Sequence, residues 1–163
     1  VYLQRSIAIS DEMTAQELHD KLSQLGAELI VETLVAIQER GFKEQVQDES
    51  KVSYAKIIKK EDGQIAWNKK GHEIINQIRA LNPWPGTFTV SDRGILKIHK
   101  ARFHENIGGL PSSLEPGQIH PQAGSLWVRC ENGWIELLTV QPEGRKPMPV
   151  ADYLNGLKGD RKK

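Results

Sequence analysis

The chain has 163 residues, of which 38% are hydrophobic and 26% charged, and its net charge is +1. That length admits one ordinary domain or two small ones. No apolar run approaches the ~20 residues of a membrane span, no signal-peptide pattern opens the chain, and the single cysteine, Cys130, excludes a disulfide framework and fits a reducing, cytoplasmic compartment.

The small net charge hides an asymmetry. Residues 1–50 carry 4 Lys/Arg against 10 Asp/Glu, whereas residues 51–163 carry 18 against 11. A basic half is what a polyanion-binding module needs, because neutralising phosphates releases their counterions. Solubility alone produces the same balance.

Val1, Leu3, Ile7 and Ile9 alternate with polar residues and predict a half-buried strand. A strand at the first residue suggests the later part of a longer protein. Thr14 followed by Glu17 is a capping box. Leu18, Leu22, Leu25, Leu29, Leu34 and Ile37 then form the stripe of one amphipathic helix, or of two broken near Gly26, ending at Arg40-Gly41. His19 is expected to face solvent.

Residues 42–69 show no sustained period and too few apolar residues for a core of their own. They predict an ordered linker, pinned at intervals by Ile57, Ile65 and Trp67 and carrying a basic cluster of Lys56, Lys59 and Lys60. The same lysines also read as plain solvation. A helix over 70–81 buries Ile74, Ile75, Ile78 and Leu81 and leaves Arg79 off that stripe, where it pairs with a carboxylate or reaches a phosphate. Asn82-Pro-Trp-Pro-Gly86 ends it abruptly, since each proline fixes φ and removes a donor. Trp84 is expected to pack at this joint.

From Thr87 the pattern turns to β. Thr87–Val90, the turn Ser91-Asp-Arg-Gly94, and 95–103 read as strand, turn, strand. Leu96 and Ile98 share one parity while Ala101 and Phe103 take the other, a switch that requires a bulge or sharp bend. A loop follows over 106–116, and Gly117-Gln-Ile119 starts a short strand. Asn132-Gly133 between alternating runs predicts a hairpin with a type I′ turn. Cys130 shares a face with Leu126 and Val128 and reads as a small buried hydrophobe. A last helix spans 150–157, before a basic tail at 158–163. These short strands suggest a small OB-like antiparallel barrel. Lys97, Lys100, Arg102, Arg129, Arg145 and Lys146 are spread over its strands and loops as a phosphate-tracking surface requires. Too few aromatics accompany them to indicate base stacking. His72, His99, His104, His120 and Cys130 match no zinc spacing, and no nucleophile, paired carboxylates or phosphate-cradling glycine loop can be argued.

Several of these motifs together resemble the methionyl-tRNA formyltransferase family: Leu3-Gln-Arg-Ser-Ile-Ala-Ile9, Thr14 to Thr33, Val46-Gln-Asp-Glu49, Tyr54-Ala-Lys-Ile57, Ile65-Ala-Trp67, Arg79-Ala-Leu-Asn-Pro-Trp-Pro-Gly86, Leu96-Lys-Ile98, Gln141-Pro-Glu-Gly-Arg-Lys-Pro-Met148 and Ala151-Asp-Tyr-Leu-Asn155. The resemblance implies an α+β chain in three parts: residues 1–41 as the strand and helices closing a Rossmann-like formyltransferase domain, a linker over 42–69, and an OB-like domain over 70–157. It implies a partner, initiator methionyl-tRNA, held through basic contacts. The co-substrate 10-formyltetrahydrofolate would bind an amino-terminal catalytic domain, whose Asn, His and Asp motifs have no match here. Catalytic, cofactor and metal residues are therefore expected to be none, and the isolated chain inactive. The nucleic-acid candidates are Lys56, Lys59, Lys60, Arg79, Lys97, Lys100, Arg102, Arg129, Arg145 and Lys146. Two alternatives stay open: the equivalent part of a formyltransferase acting on a sugar nucleotide or folate, and an interaction module without a ligand.

Overall fold

A computed structural model describes residues 1–41, 43–91, 93–111 and 113–160. Phe42 of the expected linker, Asp92 of the first hairpin turn, Ser112 of the long loop and residues 161–163 of the basic tail lie outside them. The chain forms two units, one from Val1 to Ile57 and one from Ile58 onward.

In the first unit, α1 (Ala15–Arg40) is one uninterrupted helix. Thr14 caps it as the spacing predicts: its Oγ1 accepts from the Glu17 amide at 3.3 Å, and its own amide donates to Glu17 Oε2 at 2.8 Å. Gly41, at φ 58°, ends it in the left-handed conformation. Gly26 does not break it, because one interior glycine costs only about 1 kcal/mol against a run of good helix formers. The strand expected over Val1–Ile9 does not form. A strand needs a neighbour along its length, and among the described residues only Val1 exchanges two backbone bonds with Gln45, at 2.8 and 3.0 Å. Arg5 ties this segment to α1 through a two-bond contact with Glu32. No described residue of 1–57 is buried, and Ile30, Val31 and Leu34 on α1 stand open.

The second unit holds the core. Six strands, β1 (Thr87–Ser91), β2 (Gly94–His104), β3 (Ile119–Gln122), β4 (Ser125–Cys130), β5 (Gly133–Pro142) and β6 (Met148–Pro149), form an antiparallel sheet in the order β1-β2-β5-β4-β3, with β6 on β5. The pairing gives the expected antiparallel sheet, but it does not close into the small OB-like barrel that the short strands suggest. Among the described residues β1 and β3 end the sheet and do not pair with each other. The far side of β1 is instead met by Gln64, bridged to Phe88, and by the Ile65 amide, which donates to the Phe88 carbonyl.

One face of the sheet is buried. Leu96, Ile98, Leu126, Val128, Cys130, Ile135, Leu137 and Val140 pack with Ile74 and Ile78 of α2 (Gly71–Ala80) and Val150 of α3 (Val150–Asp160). Ile65 and Trp67, read from the sequence as linker residues, belong to this core. The indole of Trp67 donates to Thr89 Oγ1 at 3.0 Å, so its buried N–H is satisfied.

Two turns depart from expectation. Cys130 pairs with Gly133, so the β4–β5 loop is Glu131-Asn132, and neither Asn132 nor Gly133 has a positive φ. Asn132 instead uses its side-chain oxygen to accept from the Gly71 amide at 2.8 Å, holding the start of α2. Gly133 is glycine because a Cβ there would strike the His104 carbonyl and the Phe103 ring. The left-handed pair that a type I′ turn requires lies at Ala123-Gly124, φ 51° and 81°, between β3 and β4. At the helix–sheet joint both proline bonds are cis, and Trp84, expected to pack there, is 60% exposed.

Candidate nucleic-acid interface

The outer face of the sheet is organised by an irregularity in β2. Ile98 pairs with Val140 and Ala101 with Leu137, and between them Lys100 pairs with Thr139, leaving His99 of β2 and Leu138 of β5 out of the register. Both strands change parity together at this irregularity, which is how the switch read from the sequence is absorbed. Before it, Leu96 and Ile98 point into the core and Lys97 outward. After it, Ala101 and Phe103 point inward and Lys100, Arg102 and His104 outward. Unbroken alternation would turn Lys100 and Arg102 into the core. With the bulge, Lys97, Lys100 and Arg102 are exposed on one face.

Arg129 joins them from β4. It lies opposite Trp134, itself opposite His104. The Arg129 guanidinium sits 5.5 Å from the centre of the Trp134 ring and donates to the Gly133 carbonyl at 2.9 Å. Both contacts orient the group while leaving it partly exposed. Glu136 brings a negative charge to this face. Its two oxygens contact His104 Nε2 at 3.1 Å and Ser125 Oγ at 3.2 Å, and the His104 ring meets Trp127 edge-on. Among the described residues, Lys97, Lys100, Arg102 and Arg129 make no ion pair within 4 Å. Lys97 and Arg102 are separated by roughly 15 Å at ordinary strand rise. That exceeds the Debye length at physiological salt, so the ends of the row hardly repel each other.

The other candidates are distributed differently. Arg145 and Lys146 are exposed in the β5–β6 turn, which Gln141 holds by donating to the Arg145 carbonyl at 2.8 Å. Gln141 is the register partner of Lys97, so this turn lies at the same end of the face. Lys59 and Lys60 are exposed around a short 3₁₀ turn (Lys60–Gly63) packed beside β1. Arg79 is half-buried on α2, under the opposite face, and its Nε donates to Asn76 Oδ1 at 3.1 Å. Lys56 is exposed in the first unit. Sequence reasoning passed over Arg93, exposed in the β1–β2 turn. Its position in a two-residue hairpin loop was the available signal. Its nearness to Arg145 was not, because only the β2–β5 register brings Leu96 opposite Pro142.

Other chemistry finds little support. Burial pushes the Cys130 thiol above its ordinary pKa, which keeps it protonated and unreactive. Among the described residues no group of three or more His, Cys, Asp or Glu could hold a metal, and no helix is long and apolar enough to cross a membrane.

Comparison with known proteins agrees with this architecture. Residues 57–158 match the family described as formyl transferase, C-terminal domain. The methionyl-tRNA formyltransferase of Caldanaerobacter subterraneus is 41% identical over 94% of this chain and 48% of its own length. Those of Acidobacterium capsulatum and Geobacter sulfurreducens are 37% and 38% identical over 94% and 96% of the chain. The chain thus spans about half the length of these relatives. A crystal structure of HypX from Aquifex aeolicus shares the fold at a TM-score of 0.67, with 15% identity over 94% of this chain and 28% of that one. A match across residues 57–158, joined to relatives aligned over nearly the whole chain, shows that the chain belongs to the formyl transferase C-terminal domain family.

Proposed function

We propose that this chain is the carboxy-terminal, tRNA-binding part of a cytoplasmic methionyl-tRNA formyltransferase. The whole protein moves a formyl group from 10-formyltetrahydrofolate to the amino group of initiator methionyl-tRNA. In this reading residues 1–41 close the catalytic domain, residues 42–69 connect, and residues 70–157 form a partly open OB-like domain that grips RNA. The tail at 158–163 adds charge.

The observation that carries the proposal is the row of cations on the uncovered face of the sheet. Lys100 and Arg102 join Lys97 on it only because β2 changes parity after Ile98, and Arg129 extends it onto β4. Arg145 and Lys146 continue it at one end and Lys59 and Lys60 flank the β1 edge. Lysines and arginines on an open sheet bind phosphates irrespective of base sequence, so they supply affinity and orientation while chemistry happens elsewhere. Arg79, held on α2, and Lys56 are secondary contributors.

The test is tRNA binding by the full-length protein across a salt series. Each phosphate contact steepens the fall of log affinity with log salt by about 0.9. Combined reversal of Lys97, Lys100 and Arg102 to glutamate is expected to flatten the slope by about two to three, with the fold unchanged. An unaltered slope overturns the proposal.

A further inference from the structure

Where the cationic face meets the end of the sheet, the second unit contains a cleft of about 340 Å³, the size of a small-ligand site. Its floor is apolar, with Leu96, Met148 and the half-buried ring of Tyr153 from α3. Its rim carries Arg93 from the β1–β2 turn, Arg145 from the β5–β6 turn and Asp152 from the first turn of α3. Among the described residues neither arginine has a carboxylate within ion-pair distance, although Glu143 lies close to Gly94 at the same end. The sheet register assembles this site from segments some fifty residues apart in sequence, through Leu96 opposite Pro142.

Two guanidinium groups that make no ion pair among the described residues, an aromatic ring, an apolar floor and one carboxylate together suit a flat heterocycle bearing a single phosphate. Resting on the reading of the neighbouring face as an RNA surface, we propose that this cleft receives one unpaired nucleotide of the bound tRNA. Its base lies against Tyr153 and Met148, as bases stack on aromatic side chains wherever single-stranded RNA is read. Its phosphate lies between Arg93 and Arg145. Asp152 accepts hydrogen bonds from the base edge. A carboxylate has two acceptor oxygens and no donor, so the cleft favours guanine, whose N1–H and N2–H₂ stand side by side. Uracil is disfavoured, since its single N3–H is flanked by two carbonyls.

Connection to the outer face runs through Gln141. This residue pairs with Lys97 in register and holds the Arg145 carbonyl. A backbone followed along Lys97 is therefore delivered to the rim where Arg145 stands.

The test uses the full-length protein and two exposed-site variants, Arg93→Glu and Asp152→Asn, neither of which removes a core contact. Titration with 5′-GMP, 5′-UMP and inorganic phosphate is followed by chemical-shift changes of the Met148 methyl group. The expected result is saturable GMP binding, stronger than UMP by about tenfold. Arg93→Glu weakens GMP by about tenfold, Asp152→Asn erases the preference for guanine, and Arg93→Glu also weakens initiator tRNA. No Met148 response to any nucleotide overturns the cleft assignment. Equal response to GMP and phosphate alone reduces the site to an anion site and overturns it as well. If GMP binds but Arg93→Glu leaves tRNA affinity intact, the cleft serves a free nucleotide and the RNA assignment fails. The outer-face reading is judged separately by the Lys97, Lys100 and Arg102 reversal, so either proposal can fail while the other stands.

Discussion

Gly71 opens α2 against the ring of Phe103, and a Cβ built there overlaps that ring; at Gly63 it would overlap the Gly86 carbonyl. These glycines exist for close approach, and a methyl group has nowhere to go. Gly71→Ala is expected to cost about 1–3 kcal/mol by overpacking. Urea unfolding followed through the buried Trp67 and Trp134 measures it, and a midpoint equal to the parent's would mean that Phe103 can move aside. Gly26 gives the opposite case. It lies within α1, and a Cβ there meets nothing within 4 Å. Gly26→Ala is expected to stabilise α1 by up to about 1 kcal/mol, seen as a higher far-UV melting temperature. Both residues look alike in the sequence. Only the neighbours decide the sign.

At the scale of elements, the β2 bulge is the feature on which the outer face depends. Its carbonyls are held from the proline-rich joint: Asn82 Nδ2 donates to His99 O at 3.3 Å, and Thr87 Oγ1 donates to the buried Ile98 O at 2.8 Å. The His99 ring is fixed by Gln141 at 2.9 Å. The Asn82-Pro-Trp-Pro-Gly86 segment thus does more than stop α2. It positions the irregular part of the strand that carries Lys97, Lys100 and Arg102. Asn82→Ala is expected to cost about 1 kcal/mol. It should also speed amide exchange around Lys100 while leaving the β4–β5 hairpin protected; uniform protection would show that the register alone holds the bulge. The parity switch between Ile98 and Ala101 was legible in the sequence because a strand's period is two, and any break in it must be absorbed locally. The β4–β5 turn was not legible. Asn-Gly ordinarily marks a type I′ turn, but here the Asn132 side chain is used by α2 and Gly133 by close packing.

Across the molecule, every buried residue among those described lies in the unit that begins at Ile58. That unit contains a complete apolar layer between sheet and helices, which is what independent stability requires. Residues 43–57 contain one 3₁₀ turn of three residues and little other regular backbone bonding. Limited proteolysis is expected to cut there and release a fragment beginning near Ile58 that still melts in one cooperative step. A fragment without such a transition would show that the first unit supplies part of its stability.

Several features of this protein were determined by its sequence alone: the capping box of α1, the positions of most strands, the bulge, the burial of Cys130, the acidic and basic halves and the family. All arise from patterns within a few residues, or from motifs read in order, so no distant contact is needed to see them. Tertiary structure alone decided that the sheet stays open, that Val1–Ile9 forms no strand, that Trp84 is exposed and that Arg79 lies beneath the sheet from Lys97. It alone brought Arg93 beside Arg145. The reason is the same in each case. Which side chains share a face or a cleft depends on strand register between segments tens of residues apart, and on which surfaces find an apolar partner, and neither is encoded in a local period.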